Sequence, residues 1–367
     1  MNEPDHNRPL KVIMAGGGTG GHLFPGIAIA QEFKAVNPAT QVVFVSSANR
    51  LERTVLEAAA FDLRRIAVSG MKGRGSWNQI SAAAKIPMAI ITAIGILKEL
   101  SPDLTIGLGS YSAGPVVMAA WLMRIPAVIC EQNILPGITN RILARFVDRI
   151  YISFKNTRLG YGGRKVNWTG NPVRREVLAT KAQDKGQGPF TVLIIGGSQG
   201  AHKINTTMNE ALEHLQDAEG LQFVHQTGEA DEAAVREAYG NKNIRAEARA
   251  FFEDMAACYH QADLIICRSG ATTVAEITAL GKAVIFIPFP YAADNHQVLN
   301  AADLADDGAA EIIVEKQLNG RLLAEKIQYY REHPQDLAQM AAKAGQYGKP
   351  DAAKNIVDDC YRLLNDR

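Results

Sequence analysis

Short apolar, β-branched runs recur along this chain from end to end, and each gives way to a longer stretch of helical character. In the first half the runs are KVIMA (11–15), QVVFVS (41–46), LRRIAV (63–68), DLTIGLG (103–109), PAVICEQ (126–132) and DRIYIS (148–153). In the second half they are FTVLIIGG (190–197), LQFVHQTG (221–228), ADLIICRSG (262–270) and KAVIFIP (282–288). Helix-like stretches at 26–36, 50–60, 77–100, 201–215, 229–239, 271–280 and 295–306 fill the intervals. A strand that reads as an unbroken apolar run is buried on both faces, and its alternation with helices builds a parallel sheet covered on both sides. The pattern predicts an α/β protein. At 367 residues the chain exceeds what one hydrophobic core usually spans. Its halves also echo each other: VIMAGGGTGGH (12–22) and VLIIGGSQGAHK (192–203) share a buried strand, a glycine turn and the start of a helix. Two Rossmann-like domains facing a cleft account for this better than one large sheet. The break is expected between Arg164 and Pro189, where VNWTGNPVRREV gives way to KAQDKGQGP. In such a pair the ligand is expected in the cleft faced by the strand C-termini.

Charge excludes one class of partner. The formal net charge is +1, with 39 basic residues against 38 acidic ones, and bulk nucleic-acid binding needs a clear basic excess. Cys130, Cys258, Cys267 and Cys360 are far apart and form no C-x-x-C pair, which predicts reduced thiols and neither a disulfide frame nor a zinc site. The N-terminal MNEPDHNRPLK lacks the basic-then-apolar order of a signal peptide. No apolar run reaches the roughly 18–20 residues of a membrane span. A soluble, cytoplasmic protein is expected, with room for contact at a membrane surface.

Four glycine turns stand between a strand and a helix. The first, AGGGTGGHLFPG (15–26), holds five glycines in six positions, then His22, then a proline placed to open a helix. It contains G-x-G-x-x-G at Gly16, Gly18 and Gly21, but the second strand ends Ser46-Ser47-Ala48-Asn49 without the carboxylate that a dinucleotide ribose wants. The second turn is LGSYSAGP (108–115). The third, GGSQGAH (196–202), has the G-x-S-x-G form of a nucleophile elbow, so a serine hydrolase using Ser198 is an alternative. The fourth, RSGATTVAE (268–276), leads a helix that carries Glu276. Four such helix N-termini around one cleft offer partial positive charge and free amides, an arrangement suited to phosphate or pyrophosphate. The chain has no G-x-x-x-x-G-K-[ST] and no D-x-D triplet, which disfavours a P-loop ATPase and a metal-chelated nucleotide-sugar site. A diphosphate would then be neutralised by helix dipoles and an arginine, Arg174 of GNPVR being the candidate.

The motifs GGTGGHLFPG, Ser110-Tyr111-Ser112-Ala113-Gly114-Pro115, Glu131-Gln132-Asn133, GNPVR (170–174), GGSQGA, RSGATTVAE and Asp294-Asn295-His296-Gln297 occur in an order that resembles the MurG family. These are bacterial transferases of N-acetylglucosamine from a UDP donor to undecaprenyl-pyrophosphoryl-MurNAc-pentapeptide. The resemblance runs from about Lys11 to the C-terminal region. It implies a GT-B glycosyltransferase fold: residues 1–170 as an N-terminal, membrane-facing domain for the lipid I acceptor, 171–348 as a UDP-GlcNAc-binding domain, and 349–367 as a helix crossing back to the first. The implied reaction is an inverting transfer onto the 4-hydroxyl of MurNAc in lipid I, forming lipid II for peptidoglycan. No metal and no cofactor are implied.

Residue by residue, the resemblance carries the donor contacts to Thr19, Gly20, Gly21, Asn133, Arg174, Ser198, Gln199, Phe252, Ala271, Thr272, Thr273, Val274, Ala275, Glu276 and Gln297. Gly18, Ser110, Tyr111, Ser112 and Gly114 fall on the acceptor side. Glu276 would accept the ribose hydroxyls, or serve only as a helix N-terminal charge. Phe252 would frame the uracil through its backbone, while Phe251 is expected in the core. An inverting displacement needs a base for the incoming hydroxyl, and imidazole titrates near neutrality, so His22 is the candidate; capping the turn or bonding a phosphate is its other reading. The apolar stretch KIPMAIITAIGILK (85–98) reads as a buried crossover helix or, with Lys72, Arg74, Trp77 and Lys85, as a patch for the anionic inner leaflet. Other cell-wall enzymes are partners expected from the resemblance alone. A UDP-GlcNAc 2-epimerase, or another GT-B transferase, keeps the fold and changes the reaction.

Overall fold

The structure is a computed structural model and describes residues 6–67, 76–160, 163, 165–179, 188–197, 200–215, 218–292 and 295–366, with the backbone alone for 76–85. The chain divides into two compact units, 1–174 with 349–367, and 175–348.

The first unit runs β1 (Lys11–Ala15), α1 (Gly20–Val36), β2 (Gln41–Ser46), α2 (Arg50–Ala58), β3 (Asp62–Arg65), α3 (Ser76–Leu100), β4 (Leu104–Gly107), α4 (Ala113–Leu122), β5 (Ala127–Glu131), α5 (Ile138–Leu143), β6 (Arg149–Ile152) and β7 (Val166–Trp168). Its strands form one sheet in the order β3-β2-β1-β4-β5-β6-β7, every pair parallel. The side-chain alternation of β1 assigns its two faces: Val12 and Met14 join Leu23, Ile27, Phe33 and Phe44, while Ile13 and Ala15 join Val45, Ala93, Leu97, Val116 and Ile129.

The second unit comprises α6 (Arg175–Ala179), β8 (Phe190–Ile195), α7 (His202–Ala211), β9 (Leu221–Gln226), α8 (Glu232–Asn241), β10 (Ala246–Arg249), α9 (Met255–Gln261), β11 (Leu264–Cys267), α10 (Ala271–Leu280), β12 (Ala283–Phe286), α11 (His296–Asp306), β13 (Glu311–Ile312), α12 (Gly320–Glu332) and α13 (Pro334–Gln346). Its strand order, β10-β9-β8-β11-β12-β13, repeats that of the first sheet, again all parallel. The expected α/β class and its doubly wound sheets are what the chain forms.

The last helix, α14 (Ala352–Asn365), belongs to the first unit. Ile356, Val357, Cys360, Tyr361 and Leu363 make a stripe at helical spacing and pack into the cluster of β1 and α1. Burying Ile356, Val357 and Leu363 contributes roughly 1.5–3 kcal/mol each. The entry and exit of the second unit are held together on the first: a Cβ on Gly170 would sit 2.4 Å from Lys349 Cβ, and the Lys349 ammonium lies 4.3 Å from the Trp168 ring centroid.

α1 begins at Gly20 and keeps Pro25 inside it, whereas the sequence places its start at Gly26. Glycine is tolerated in a first turn whose N–H groups have no intrahelical acceptor anyway. His22 therefore stands on a helix and not on a free loop.

A buried polar network supports the start of α7. Asn205 donates through Nδ2 to the Thr227 carbonyl and to Asp231 Oδ2, which leaves its Oδ1 facing His225 Nε2 at 2.9 Å. The ring thus carries its proton on Nε2 and accepts from the Tyr239 hydroxyl at Nδ1, 3.2 Å away. Burial holds this imidazole neutral, its pKa lowered to about 3. Above pH 6.5 both folded and unfolded chains carry it uncharged, so its full stability is present there. As pH falls from 6.5 toward 3, only the unfolded chain takes the proton, and stability is lost. Between pH 7 and pH 5, wild type is expected to lose about 2 kcal/mol more unfolding free energy than His225→Gln, read from urea curves of the second unit by hydrogen exchange. Equal losses would show that His225 does not set this limb.

Candidate active site

In an open parallel sheet, ligands bind beyond the strand carboxyl ends where the strand order reverses. In the first unit that point lies between β1 and β4, and in the second between β8 and β11. The four glycine turns follow those four strands. Each unit therefore carries one pair of turns across its own switch point.

The first turn is closed by its own chain. Gly16 N–H donates to the Val45 carbonyl, Gly17 N–H to Ser110 Oγ at 3.3 Å, and Gly18 N–H to Glu52 Oε1 at 2.7 Å. Glu52 is fully buried, and its Oε2 accepts from Asn49 N–H at 2.7 Å and from Ser47 Oγ at 3.1 Å. Asn49 caps α2 reciprocally by accepting from Glu52 N–H, and its Nδ2 donates back to the Gly18 carbonyl. The expectation of free amides at this turn is corrected here: an internal carboxylate occupies the place an outside anion would take. What the turn presents is the N-terminus of α1, with Thr19 at the N-cap, Gly20 and Gly21 in the first turn, and His22 beside them.

The second turn packs against that histidine. Gly109 adopts φ +93°, and an added Cβ would lie 2.9 Å from His22 Cε1. Ser110 adopts φ +69°; its Oγ lies 3.0 Å from that of Ser112, the N-cap of α4, in which Gly114 is the second residue. Tyr111 is 48% exposed. Across the neighbouring strand end, Gln132 is buried and its Oε1 stands 3.0 Å from His22 Nδ1. Asn133 follows, its N–H donating to Glu131 Oε1. Arg174 closes the first unit, its guanidinium stacked 4.3 Å over the Phe24 ring of α1. The structure thus gathers Thr19, Gly20, Gly21, His22, Ser110 and Gln132 at one switch point.

In the second unit, Gly200 adopts φ +77°, and an added Cβ would stand 2.2 Å from the Thr227 carbonyl oxygen, so the third turn admits no side chain there. Ser198 and Gln199 lie outside the described residues, as do Lys72, Arg74 and Asp294 and the side chains of Trp77 and Lys85. Gln226 joins this turn to the next: its Nε2 donates to the Gly197 carbonyl, and its Oε1 accepts from Phe252 N–H. Phe252 is buried while Phe251 is 44% exposed, the reverse of the core placement expected for Phe251.

The fourth turn ends in Gly270 as N-cap, so Ala271, Thr272, Thr273, Val274, Ala275 and Glu276 form the first turns of α10. Glu276 is buried and accepts from the Tyr259 hydroxyl at 2.8 Å through Oε2. Gln297, early in α11, accepts from Phe289 N–H through Oε1, and its carbonyl receives the Ser269 hydroxyl. Sequence reasoning did not single out Glu52, Gln226 or Tyr259, and it quoted Gln132 only within the motif Glu131-Gln132-Asn133, with no role of its own. Only Glu52 carried a local signal, as the fourth residue of the capping pattern Asn49-x-x-Glu52. Among the described residues, no group of three or more His, Cys, Asp or Glu is placed to hold a metal.

The glycosyltransferase family 28 N-terminal domain model matches residues 12–152, and the family 28 C-terminal domain model matches 191–356. A protein of Myxococcus xanthus named UDP-N-acetylglucosamine--N-acetylmuramyl-(pentapeptide) pyrophosphoryl-undecaprenol N-acetylglucosamine transferase is 44% identical over 357 residues, 97% of this chain and 93% of its own length. One of the same name from Syntrophus aciditrophicus is 46% identical, over 97% of this chain and 99% of its own. The crystal structure of Acinetobacter baumannii MurG superposes with a TM-score of 0.76 at 31% identity, over 98% of this chain and all of that one. A UDP-GlcNAc 2-epimerase from Neisseria meningitidis shares the fold, with a TM-score of 0.69 at 16% identity over 96% of this chain and all of its own.

Proposed function

This chain belongs to glycosyltransferase family 28, and from that premise we propose that it transfers N-acetylglucosamine from UDP-GlcNAc to the 4-hydroxyl of MurNAc in the undecaprenyl-pyrophosphoryl acceptor, converting lipid I to lipid II with inversion at the sugar carbon. The observation that supports this best is that the chain follows transferases of that name over nearly its whole length. The 2-epimerase likeness supports the fold and no more.

In a single displacement the acceptor oxygen attacks C1 of the sugar, the bond from C1 to the β-phosphate oxygen breaks, and the electron pair leaves with UDP. The hydroxyl proton goes to a base, and the charge on the departing diphosphate needs donors already in place. We assign the proton to His22, held on the first turn of α1, and the acceptor side to Gly18, Ser110, Tyr111, Ser112 and Gly114. The donor falls to the second unit. The amides that begin α10 and the third turn, with Ser198 and Gln199, receive the diphosphate. Glu276 accepts the ribose hydroxyls, Gln297 and Asn133 meet the sugar, and Phe252 meets the uracil through its carbonyl. Arg174 adds a permanent positive charge.

The test is transfer of labelled GlcNAc from UDP-GlcNAc to a lipid I analogue by the full-length protein. Label in the lipid product is expected; folded protein that gives none, and instead releases a 2-epimer, overturns the reading.

We further propose that the first unit docks on the cytoplasmic face of the membrane. Among the described residues, no helix is long and apolar enough to cross one. In α3, Ala89, Ala93 and Leu97 form a buried stripe, while Ile86, Met88 (66% exposed) and Ile91 (61%) project outward. α4 packs against both α3 and α5, and α5 exposes Ile138 and Ile142 together with Arg141. Apolar residues beside a cation suit the boundary of an anionic bilayer. With vesicles containing anionic lipid, the double variant Met88→Glu/Ile91→Glu is expected to bind at least about tenfold more weakly than wild type; equal flotation would exclude this face.

A further inference from the structure

We propose that Gln132 is a positioning residue that fixes the proton of His22 on Nδ1 and thereby aims the lone pair of Nε2 at the reacting hydroxyl; the second half of this statement rests on His22 being the base.

The argument begins with an amide that has one tenable orientation. Gln132 is buried directly after β5, and its Nε2 donates to the Leu108 carbonyl at 3.1 Å. Flipping the amide would set its oxygen against that carbonyl oxygen. The Gln132 oxygen therefore faces the histidine, 3.0 Å from Nδ1. An amide oxygen only accepts, so Nδ1 must be the donor. In a neutral imidazole the other nitrogen then holds the lone pair.

The ring cannot evade this contact by sliding. A Cβ on Gly109 would come within 2.9 Å of Cε1 and 3.0 Å of Nδ1, so the backbone of the second turn lies against the edge that bears the hydrogen bond. The holding groups also come from strand ends: Leu108 and Gly109 follow β4, and Gln132 follows β5. Such anchors place a ring more firmly than a loop does.

The chemistry explains why an amide stands here. A carboxylate at this position would also fix the tautomer, but it would stabilise the imidazolium and keep the ring protonated. The neighbouring carboxylate is turned away: Glu131 accepts from Asn133 N–H, Gly137 N–H and Asn140 Nδ2. Successive residues at a strand end point to opposite sides, so Gln132, directly after β5, turns to the histidine while Glu131, equally buried, turns away from it. The amide directs the proton without adding charge.

The test is ring nitrogen NMR on full-length protein with ¹⁵N-labelled histidine, His22→Gln identifying the signals. Wild type at a pH where the ring is neutral is expected to show Nδ1 protonated and Nε2 bare. Gln132→Leu is expected to lose that preference, with kcat down about 10- to 100-fold and the donor KM within about threefold. The unfolding midpoint of Gln132→Leu, measured beside wild type, is expected to stay close enough for the folded variant to be assayed, which guards against misreading a folding defect as a lost tautomer. Nε2 protonated in wild type, or an unchanged tautomer in Gln132→Leu, overturns the proposal. A tautomer lost in Gln132→Leu with undiminished kcat overturns the base assignment to His22 and leaves the hydrogen bond standing, so the two failures are distinguishable.

Discussion

Replacing His22 with alanine is expected to lower kcat for GlcNAc transfer by about 10²–10⁴-fold, with the donor KM moving only a few-fold. The size of the effect follows from what the side chain does and what it does not hold up. His22 lies in the first turn of α1 and is partly exposed, and its N–H bonds to the Thr19 carbonyl whatever side chain it bears. Alanine is the best helix former, so the backbone gains slightly from the change. The hydrogen bond to Gln132 that goes with the ring is worth about 1 kcal/mol, a small sum beside the several kcal/mol that a general base removes from a barrier. Steady-state kinetics on protein of unchanged unfolding midpoint separate the two. A fall of less than tenfold in kcat, with a raised KM, assigns His22 to binding and returns the proton to another acceptor.

The largest stability effect is expected at a residue that touches no substrate in this assignment. Glu52→Ala should destabilise the first unit by about 3–5 kcal/mol. The side chain is fully buried and receives the Gly18 and Asn49 amides and the Ser47 hydroxyl, three donors that alanine leaves without an acceptor. Glu52→Gln should be costly too, at roughly 2 kcal/mol. Both carboxylate oxygens accept, and turning either into NH₂ sets a donor against a donor. The measurement is convenient, because all three tryptophans, Trp77, Trp121 and Trp168, belong to the first unit. Tryptophan emission in urea, excited selectively over tyrosine, therefore follows that unit alone. A Glu52→Ala midpoint equal to wild type would mean that water replaces the carboxylate and that the turn is held by other contacts.

Strands with continuous apolar runs were legible, and their observed bounds lie inside those read from sequence, as at 190–195 within 190–197; the charged β3 (Asp62–Arg65) starts one residue before its expected 63–68 and stops short of its end. Sheets covered on both faces leave an unambiguous signature. The strands that escaped are edge or fragmentary ones: Ala246–Arg249 alternates alanine with charged residues at the border of its sheet, Val166–Trp168 lies at the other sheet's edge, and Glu311–Ile312 is two residues long. A half-solvated edge needs no apolar run, so nothing marked them. The glycine turns were legible as positions, and their use was not. Whether a turn's amides face a ligand or an internal carboxylate depends on a contact between residues 34 apart, Gly18 and Glu52. His22 and Gln132 are 110 apart. The exchange of Phe251 and Phe252 between surface and core follows from a bend after β10 that hydropathy cannot see. The G-x-S-x-G of the third turn matches both a nucleophile elbow and a phosphate turn, because both demand a strand, a tight turn and a helix.

The return of α14 to the first unit has a consequence for how a cell makes this protein. A ribosome releases residues 1–174 early, yet the piece that covers the α1 side of their core emerges only after the whole second unit. The second unit, one uninterrupted segment, has all its residues first. The first must wait with an open apolar groove, and termination between residues 174 and 352 leaves that groove uncovered. Fragments cut between the units are thus unequal: one half is a complete domain and the other lacks its keystone. For a chain spanning two domains, the fourteen-residue α14 makes synthesis through the whole second unit the checkpoint for the domain that was begun first.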